Sequence, residues 1–409
     1  MNVAPARTAG GSRSLTISLV GTRGVPARYG GFETCVEEVG SRLADRGHAV
    51  TVYSRNGNRR PGDPERYRGM GIVHLPALRK RSLETLSHSA LSVAHLGLHR
   101  PDVALVFNAA NAPLLPFGRA LRGPVATHVD GLEWQRAKWG PVGTRYYKAV
   151  ERMAVRFSDA LIADAQGIAD YYRHEFDSDT DLISYGAPAI SDSPGDRLAE
   201  LGLVPDGYHL VVARFEPENH VDVIVDGYVA SEATLPLIVV GSAPYSDAYT
   251  EKVHAAGDTR VRFLGGVWDQ DLLDQLYAHA RTYLHGHSVG GTNPSLLRAI
   301  GAGTATIAWD VGFNREVLQD AGRYFAARGD LARLVESAET DLSAIASQRS
   351  RALERAARYD WEDVTDRYEA LCRRLVDQNH RARPSRKSPP PPTSTPTRDV
   401  DVTFEQRGA

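Results

Sequence analysis

Four glycines between a short apolar run and a helical pattern are the first residues whose spacing suggests chemistry. In VGTRGVPARYGGFETCVEEVG (20–40) the apolar run ends at Val20, Gly21, Gly24, Gly30 and Gly31 follow, and a helix is expected from about Phe32. Glycines after a strand let the backbone approach a ligand closely. A helix start offers unpaired N–H groups and the positive end of a dipole to a phosphate or another anion. The pattern is neither GxGxxG nor a Walker loop, since no GK[ST] follows. Arg23 and Arg28 add cationic groups that a plain strand-to-helix turn does not need. Glu33 suits the first turn of any helix and carries no argument by itself.

A second polar cluster, THVDGLEWQRAKWG (127–140), follows another apolar run. Open α/β sheets place their ligand crevice at such strand ends. His128 beside Asp130 and Glu133 could act as a general base or a sugar ligand. One histidine among alternating acids matches no metal-ligand spacing. Trp134 and Trp139 could stack on a sugar or sit at a lipid interface; two packed indoles are the plain alternative. The second half offers Arg214 at a strand end, where it could meet phosphate, followed by Glu216, Glu218, Asn219 and His220. HGHSVGGTNPSLLRAIGAG (285–303) repeats the glycine-to-helix device, with Gly290, Gly291, Thr292 and Asn293 ahead of Pro294, which is acceptable in a first helical turn. GFNREV (312–317) places Glu316 near one more helix start.

These groups require strands alternating with helices. LTISLV (15–20), AVTVYS (49–54), GIVHLPAL (71–78), DVALVFN (102–108), PVATHVDG (124–131), ALIADA (160–165) and DLISYGA (181–187) read as strands of a first half. Phe32, Val36, Val39 and Leu43 recur at helical spacing, and so do the apolar residues of 83–97, 143–158 and 167–176. SDSPGDRLAELGLVPDGY (191–208) breaks the pattern, and strands at 209–215, 235–242, 261–266, 281–286 and 304–311 resume it. This alternation predicts an α/β fold with parallel sheets covered on both faces, in two Rossmann-like domains, 15–190 and 191–360. Residues 361–379 read as one last helix. Residues 1–14 and the Pro-rich 380–409 read as disordered ends.

The 409 residues carry 48 Lys+Arg against 50 Asp+Glu, a net charge of −2, which excludes a dominant basic footprint for nucleic acid. Two cysteines, Cys35 and Cys372, offer no disulfide framework. No stretch approaches the ~18 apolar residues of a spanning helix. The expectation is a cytoplasmic protein, with contact at the inner-membrane surface left open. The helices near 83–99 and 134–157, with Arg79, Lys80, Arg81, Arg136, Lys138 and Arg145, are where that contact is expected.

Together VGTRGVPARYGGFET (20–34), HVDGLEWQRAKWG (128–140), DALIADAQGIADYY (159–172), VVARFEPEN (211–219), HGHSVGGTNPSLL (285–297) and DVGFNREVL (310–318) resemble the retaining GT-B glycosyltransferases of family four, in the branch of bacterial rhamnosyltransferases. The resemblance spans roughly residues 15–375. It implies an N-terminal acceptor domain and a C-terminal sugar-nucleotide domain facing a central cleft, and a final helix crossing back to the first. It implies His128 beside the donor sugar and Arg214 on the diphosphate as catalytic groups. Gly30, Gly31, Asn219, Gly291, Thr292, Asn293, Arg298 and Glu316 would bind the donor. Asp130, Glu133, Trp134, Lys138 and Trp139 are the candidate acceptor contacts. No metal or cofactor is expected; Asp177, Asp179 and Asp181 spell DxD but read as turn residues.

The chain departs from the wider family pattern at three places. Asn219 stands where a lysine pairs with the arginine, and Gly290 and Arg298 stand where two glutamates lie. The second glutamate accepts hydrogen bonds from the nucleotide ribose, and arginine has no acceptor. A deoxyribose donor such as dTDP-rhamnose would tolerate that loss better. The expected activity is transfer of a hexose, L-rhamnose from dTDP-rhamnose, to a lipid-linked or glycan acceptor in cell-wall or capsule synthesis. A catalytically silent binding protein and a sugar-nucleotide epimerase are the rival readings.

Overall fold

The computed structural model describes residues 13–27, 30–58, 65–78, 84–119, 123–129, 131–136, 139–242 and 247–382. The first half runs β1 (Thr16–Val20), α1 (Gly31–Asp45), β2 (Ala49–Arg55), β3 (Arg66–Tyr67), β4 (Met70–Leu75), α2 (Glu84–His99), β5 (Val103–Phe107), α3 (Leu115–Arg119), β6 (Val125–His128), α4 (Pro141–Phe157), β7 (Ala160–Ala163), α5 (Gln166–Phe176) and β8 (Asp181–Leu182). The second runs β9 (His209–Val212), α6 (Val221–Val229), β10 (Leu237–Val240), α7 (Asp247–Ala256), β11 (Val261–Gly265), α8 (Gln270–Ala278), β12 (Thr282–His285), α9 (Pro294–Gly301), β13 (Thr306–Trp309), α10 (Gly312–Leu318), β14 (Gly322–Phe325), α11 (Arg328–Thr340), α12 (Leu342–Ala356) and α13 (Trp361–Ala382).

Eight strands form one sheet in the order β3-β4-β2-β1-β5-β6-β7-β8, and six form the other in the order β11-β10-β9-β12-β13-β14. Every pairing is parallel except β3 with β4. Helices cover both faces, so the strands read as near-continuous apolar runs; Ile17, Leu19, Val20, Val103 and Leu105 are all buried. The chain order reverses around β1 in the first sheet and β9 in the second, and such switch points open crevices at the strands' carboxyl ends. The GT-B arrangement of two Rossmann-like domains is thus present.

Along α1, Val36, Val39 and Leu43 are fully buried at helical spacing. The helix α13 brings Trp361, Val364, Tyr368, Leu371 and Leu375 to one buried stripe and packs it against α1, crossing back to the first domain. Arg46 fixes the crossing from the polar side, with ion pairs to Glu362, Asp366 and Glu369. The helix runs three residues past the expected 379, and residues 383–409, like 1–12, lie outside the described residues. The expected strand 181–187 pairs only at Asp181–Leu182; beyond it the chain crosses toward the other domain, where Ala187 N–H bonds Tyr359 O at 2.7 Å.

Candidate functional site

The two switch points face each other across a cleft of about 1170 Å³. From the first domain it is lined by the loop after β1, the start of α1, Asn108 after β5, and Tyr185; from the second, by Arg214 after β9, His285 to His287 after β12, and the start of α9. Gly21 turns at φ +100°, and a Cβ there would lie 2.3 Å from Phe107 O, so the chain can leave β1 this way only with glycine.

Two helix starts converge in the cleft. A Cβ on Gly31, the first residue of α1, would lie 2.7 Å from Pro294 Cγ, the first residue of α9. Both helices thus direct their positive ends into one space. Asn293 caps α9 by accepting from Ser295 N–H at 2.9 Å. Gly30 caps α1 without a side chain, and Glu33 turns back to accept from Arg23 N–H at 2.9 Å. Arg214 is half-exposed in the cleft, with the Glu216 carboxylate 3.8 Å away.

The seam between the domains is tight beside this space. Thr292 Oγ1 donates to Asp164 O at 2.6 Å. A Cβ on Gly291 would lie 1.9 Å from Asp164 Oδ1, so any larger residue would displace that carboxylate. Arg136 is ion-paired with Glu133 at 2.8 Å and reaches to 3.8 Å from Glu218 of the other domain.

Gly30, Gly31, Arg214, Asn219, Gly291, Thr292, Asn293, Arg298 and Glu133 are therefore brought together in the cleft. Other expected residues fall elsewhere. His128 is buried at the end of β6, stacked between Phe107 (5.6 Å) and Tyr185 (5.8 Å), with Phe32 edge-on at 5.2 Å. Neither ring nitrogen has a hydrogen-bond partner among the described residues, and burial pushes its pKa down to about 3. It is a neutral ring behind the cleft wall. Trp134 packs on Tyr171, with Lys148 Nζ 4.3 Å from its ring. Trp139 packs on Tyr147 and donates to Glu133 at 3.2 Å. Neither indole lines the cleft; both serve as packing, because the loop before α4 folds them onto the helix layer. Glu316 accepts from Gln166 N–H at 2.8 Å, at the start of α5, so its carboxylate joins the two domains and does not face the cleft. Asp130 and Lys138 lie outside the described residues.

The departures from the family pattern find local partners. Arg298 is paired with Asp274 at 2.5 Å and Gln270 at 2.9 Å, so its charge is largely spent inside the second domain. Asn219 is buried, donates to Arg214 O at 2.7 Å and meets His287 Nδ1 at 2.7 Å. Sequence reasoning passed over His287, Tyr185 and the exposed Trp268, all of which line the cleft. The one available signal was the His-Gly-His step at the end of β12, beside the switch point.

A two-domain GT-B architecture with helix starts and an arginine at its cleft defines a class, and the comparisons agree with it. Residues 29–187 match the model of Glycosyltransferase Family 4, and residues 207–343 match that of Glycosyl transferases group 1. Each half of the chain thus matches a glycosyltransferase model of its own, within a GT-B fold. Sucrose-phosphate synthase from Thermosynechococcus elongatus shares the fold at a TM-score of 0.75 and 19% identity, covering 89% of this chain and 100% of that one. HepE from Anabaena, solved with UDP, gives 0.71 at 16% identity, covering 88% and 100%. O-antigen chain mannosyltransferase B of Escherichia coli is 27% identical over 199 residues, 46% of this chain. The match spans about half (51%) of that curated relative's length.

Proposed function

We propose that this chain is a glycosyltransferase that moves a hexose from a nucleotide sugar to a lipid-linked or glycan acceptor in cell-surface polysaccharide synthesis. The observation that carries the reading is the convergence of the α1 and α9 starts with Arg214 in one interdomain cleft. Two helix dipoles and a guanidinium suit a diphosphate, and they would stabilise the charge that develops as it leaves. The flanking space would hold the sugar and the attacking hydroxyl in register. The name of the E. coli relative supports polysaccharide synthesis, and the complexes of HepE with UDP and UDP-glucose support a nucleotide sugar as donor. Within this reading the donor is dTDP-rhamnose, the reaction retains configuration, and no metal is required. Arg298, tied to Asp274, leaves a wall without the ribose acceptor of the wider family, which favours a deoxyribose nucleotide.

The outer face of α2, α3 and α4 supports a lipid-linked acceptor. On α2, Leu91 and Leu98 are exposed, as are Phe117 on α3 and Val142 on α4. Arg145, Lys148, Arg152 and Arg156 are exposed on α4, whose single acid, Glu151, is buried. Apolar protrusions beside a cationic stripe fit an anionic bilayer surface. Among the described residues no helix is long and apolar enough to cross a membrane. Arg136, expected on this face, is instead drawn inward to Glu133 and Glu218. Arg79, Lys80, Arg81 and Lys138 lie outside the described residues.

A thermal-shift screen of dTDP-rhamnose, GDP-mannose and UDP-glucose tests the donor, because a bound ligand stabilises the fold by mass action. The largest shift is expected with dTDP-rhamnose. No shift with any nucleotide sugar contradicts the reading. Conversion of the sugar without an acceptor would make the protein an epimerase, and binding without turnover would make it a silent relative.

A further inference from the structure

His287 stands at the cleft wall on the loop after β12, and its hydrogen bonds fix which nitrogen carries the proton. The chain of constraint starts at a backbone carbonyl. Arg214 O can only accept, so the Asn219 group facing it at 2.7 Å must be the amide nitrogen. The Asn219 carbonyl oxygen is thereby turned to His287 Nδ1, 2.7 Å away. An amide oxygen cannot donate, so Nδ1 carries the hydrogen. Asn219 is itself buried and locked by its own N–H to Glu216 O at 2.9 Å. The other nitrogen, Nε2, is left with a lone pair. It lies against Gly290, where a Cβ would come within 3.3 Å of it, and both residues line the cleft.

We propose that His287 is a substrate-binding residue whose Nε2 accepts a hydrogen bond from a sugar hydroxyl, and that Asn219 is the positioning residue that sets its tautomer. This deepens the glycosyltransferase reading and rests on it for the identity of the sugar. An acceptor here complements the donors at the same end of the cleft, the helix N–H groups and Arg214. The titratable groups around the ring are Arg136 from the first domain, Arg214, Glu216 and Glu218 from the loop after β9, His285 on its own strand, and Asp164 across Gly291. Burial, reinforced by His285, Arg136 and Arg214 and only partly opposed by the Val289 backbone, holds the imidazole well below its usual range. The ring therefore stays neutral, and its acceptor remains available through the physiological range. The lysine that the wider family places at 219 could only donate, and would leave Nδ1 as the acceptor and Nε2 without its lone pair.

Two measurements test this, one without substrate. Long-range proton–nitrogen correlation spectra of ¹⁵N-histidine-labelled protein, with His287 assigned by its loss in His287→Gln, are expected to show the Nδ1–H tautomer with no protonation near neutral pH. An Nε2–H tautomer or a titration near neutrality overturns the proposal, whatever the enzyme's activity. In transfer assays, His287→Gln keeps an acceptor and His287→Leu removes it. The leucine variant is expected to lose about 10–100-fold in kcat/KM, the cost of an unpaired buried hydroxyl, and the glutamine variant less than about 10-fold. Asn219→Asp should favour the imidazolium and give the pH profile an acid limb that the natural protein lacks. Equal losses for glutamine and leucine, or an unchanged profile for Asn219→Asp, overturn the assignment. Absence of transfer by the unaltered protein, with the expected tautomer intact, would strike the functional reading and not the tautomer.

Discussion

Arg214 and Glu151 show how single residues carry separate parts of the account. Arg214 is a cleft cation whose position after β9 follows from the switch point, with the Glu216 carboxylate 3.8 Å away. Replacing it with alanine is expected to lower kcat/KM about 100-fold or more, as loss of a charge-stabilising donor does, with little change in melting temperature; steady-state kinetics beside thermal denaturation would separate the two. Glu151 is buried on α4 under the cationic face and accepts from Tyr171 at 3.0 Å. Burial is the main cause that pushes its carboxyl up to about 7, against the pull of Tyr171 and Lys148. A raised folded-state pKa favours the folded protein most below the ordinary glutamate range, and that contribution is lost as pH rises through about 7. Glu151→Gln should therefore melt higher than the natural protein at about pH 8, with the difference closing by about pH 5. A constant difference across that window would contradict this origin.

At the scale of elements, the returning helix α13 is the piece that ties the fold together. Trp361 begins it, buried against Gly186, where a Cβ would lie 2.4 Å from the indole. Trp361→Ala should cost about 3–5 kcal/mol in denaturant unfolding, as for other large-to-small core changes; a loss under about 1 kcal/mol would mean that the crossing contributes little. Much of this level was legible in the sequence. The stripe Trp361, Val364, Tyr368, Leu371, Leu375 follows from the helical period of 3.6, and the strands follow from continuous apolar runs that burial on both faces enforces. Short elements were not: β3 and β14 are only two and four residues long, and α11 and α12 sit in a stretch without a distinctive strand between them. The candidate site divided in the same way. Glycines and helix starts were legible because backbone geometry demands those residue types. His128, Trp134, Trp139 and Glu316 were misplaced because a polar or aromatic side chain at a strand end can turn either to the cleft or to the core. Only the packing of Phe107, Tyr171 and α5 decides which.

For the whole molecule, near-neutral net charge conceals a divided surface: a cleft with converging helix starts, and an outer face where α2, α3 and α4 set leucines and Phe117 beside exposed basic residues. Vesicle flotation should detect this face. Binding is expected to phosphatidylglycerol-containing vesicles and to weaken with salt, since the attraction is screened. The double variant Arg145→Glu, Arg152→Glu should lose most of it while keeping its nucleotide-sugar affinity. Salt-independent binding, or unchanged binding by the double variant, would place any membrane contact elsewhere. The central claim is that the cleft transfers a sugar from a nucleotide. Nucleotide diphosphate release from dTDP-rhamnose, followed with and without a polyprenyl-diphosphate-linked sugar, tests it most directly. Release is expected to depend on the acceptor and to fall with Arg214→Ala. Release that ignores the acceptor, or no release from any nucleotide sugar that binds, would contradict it.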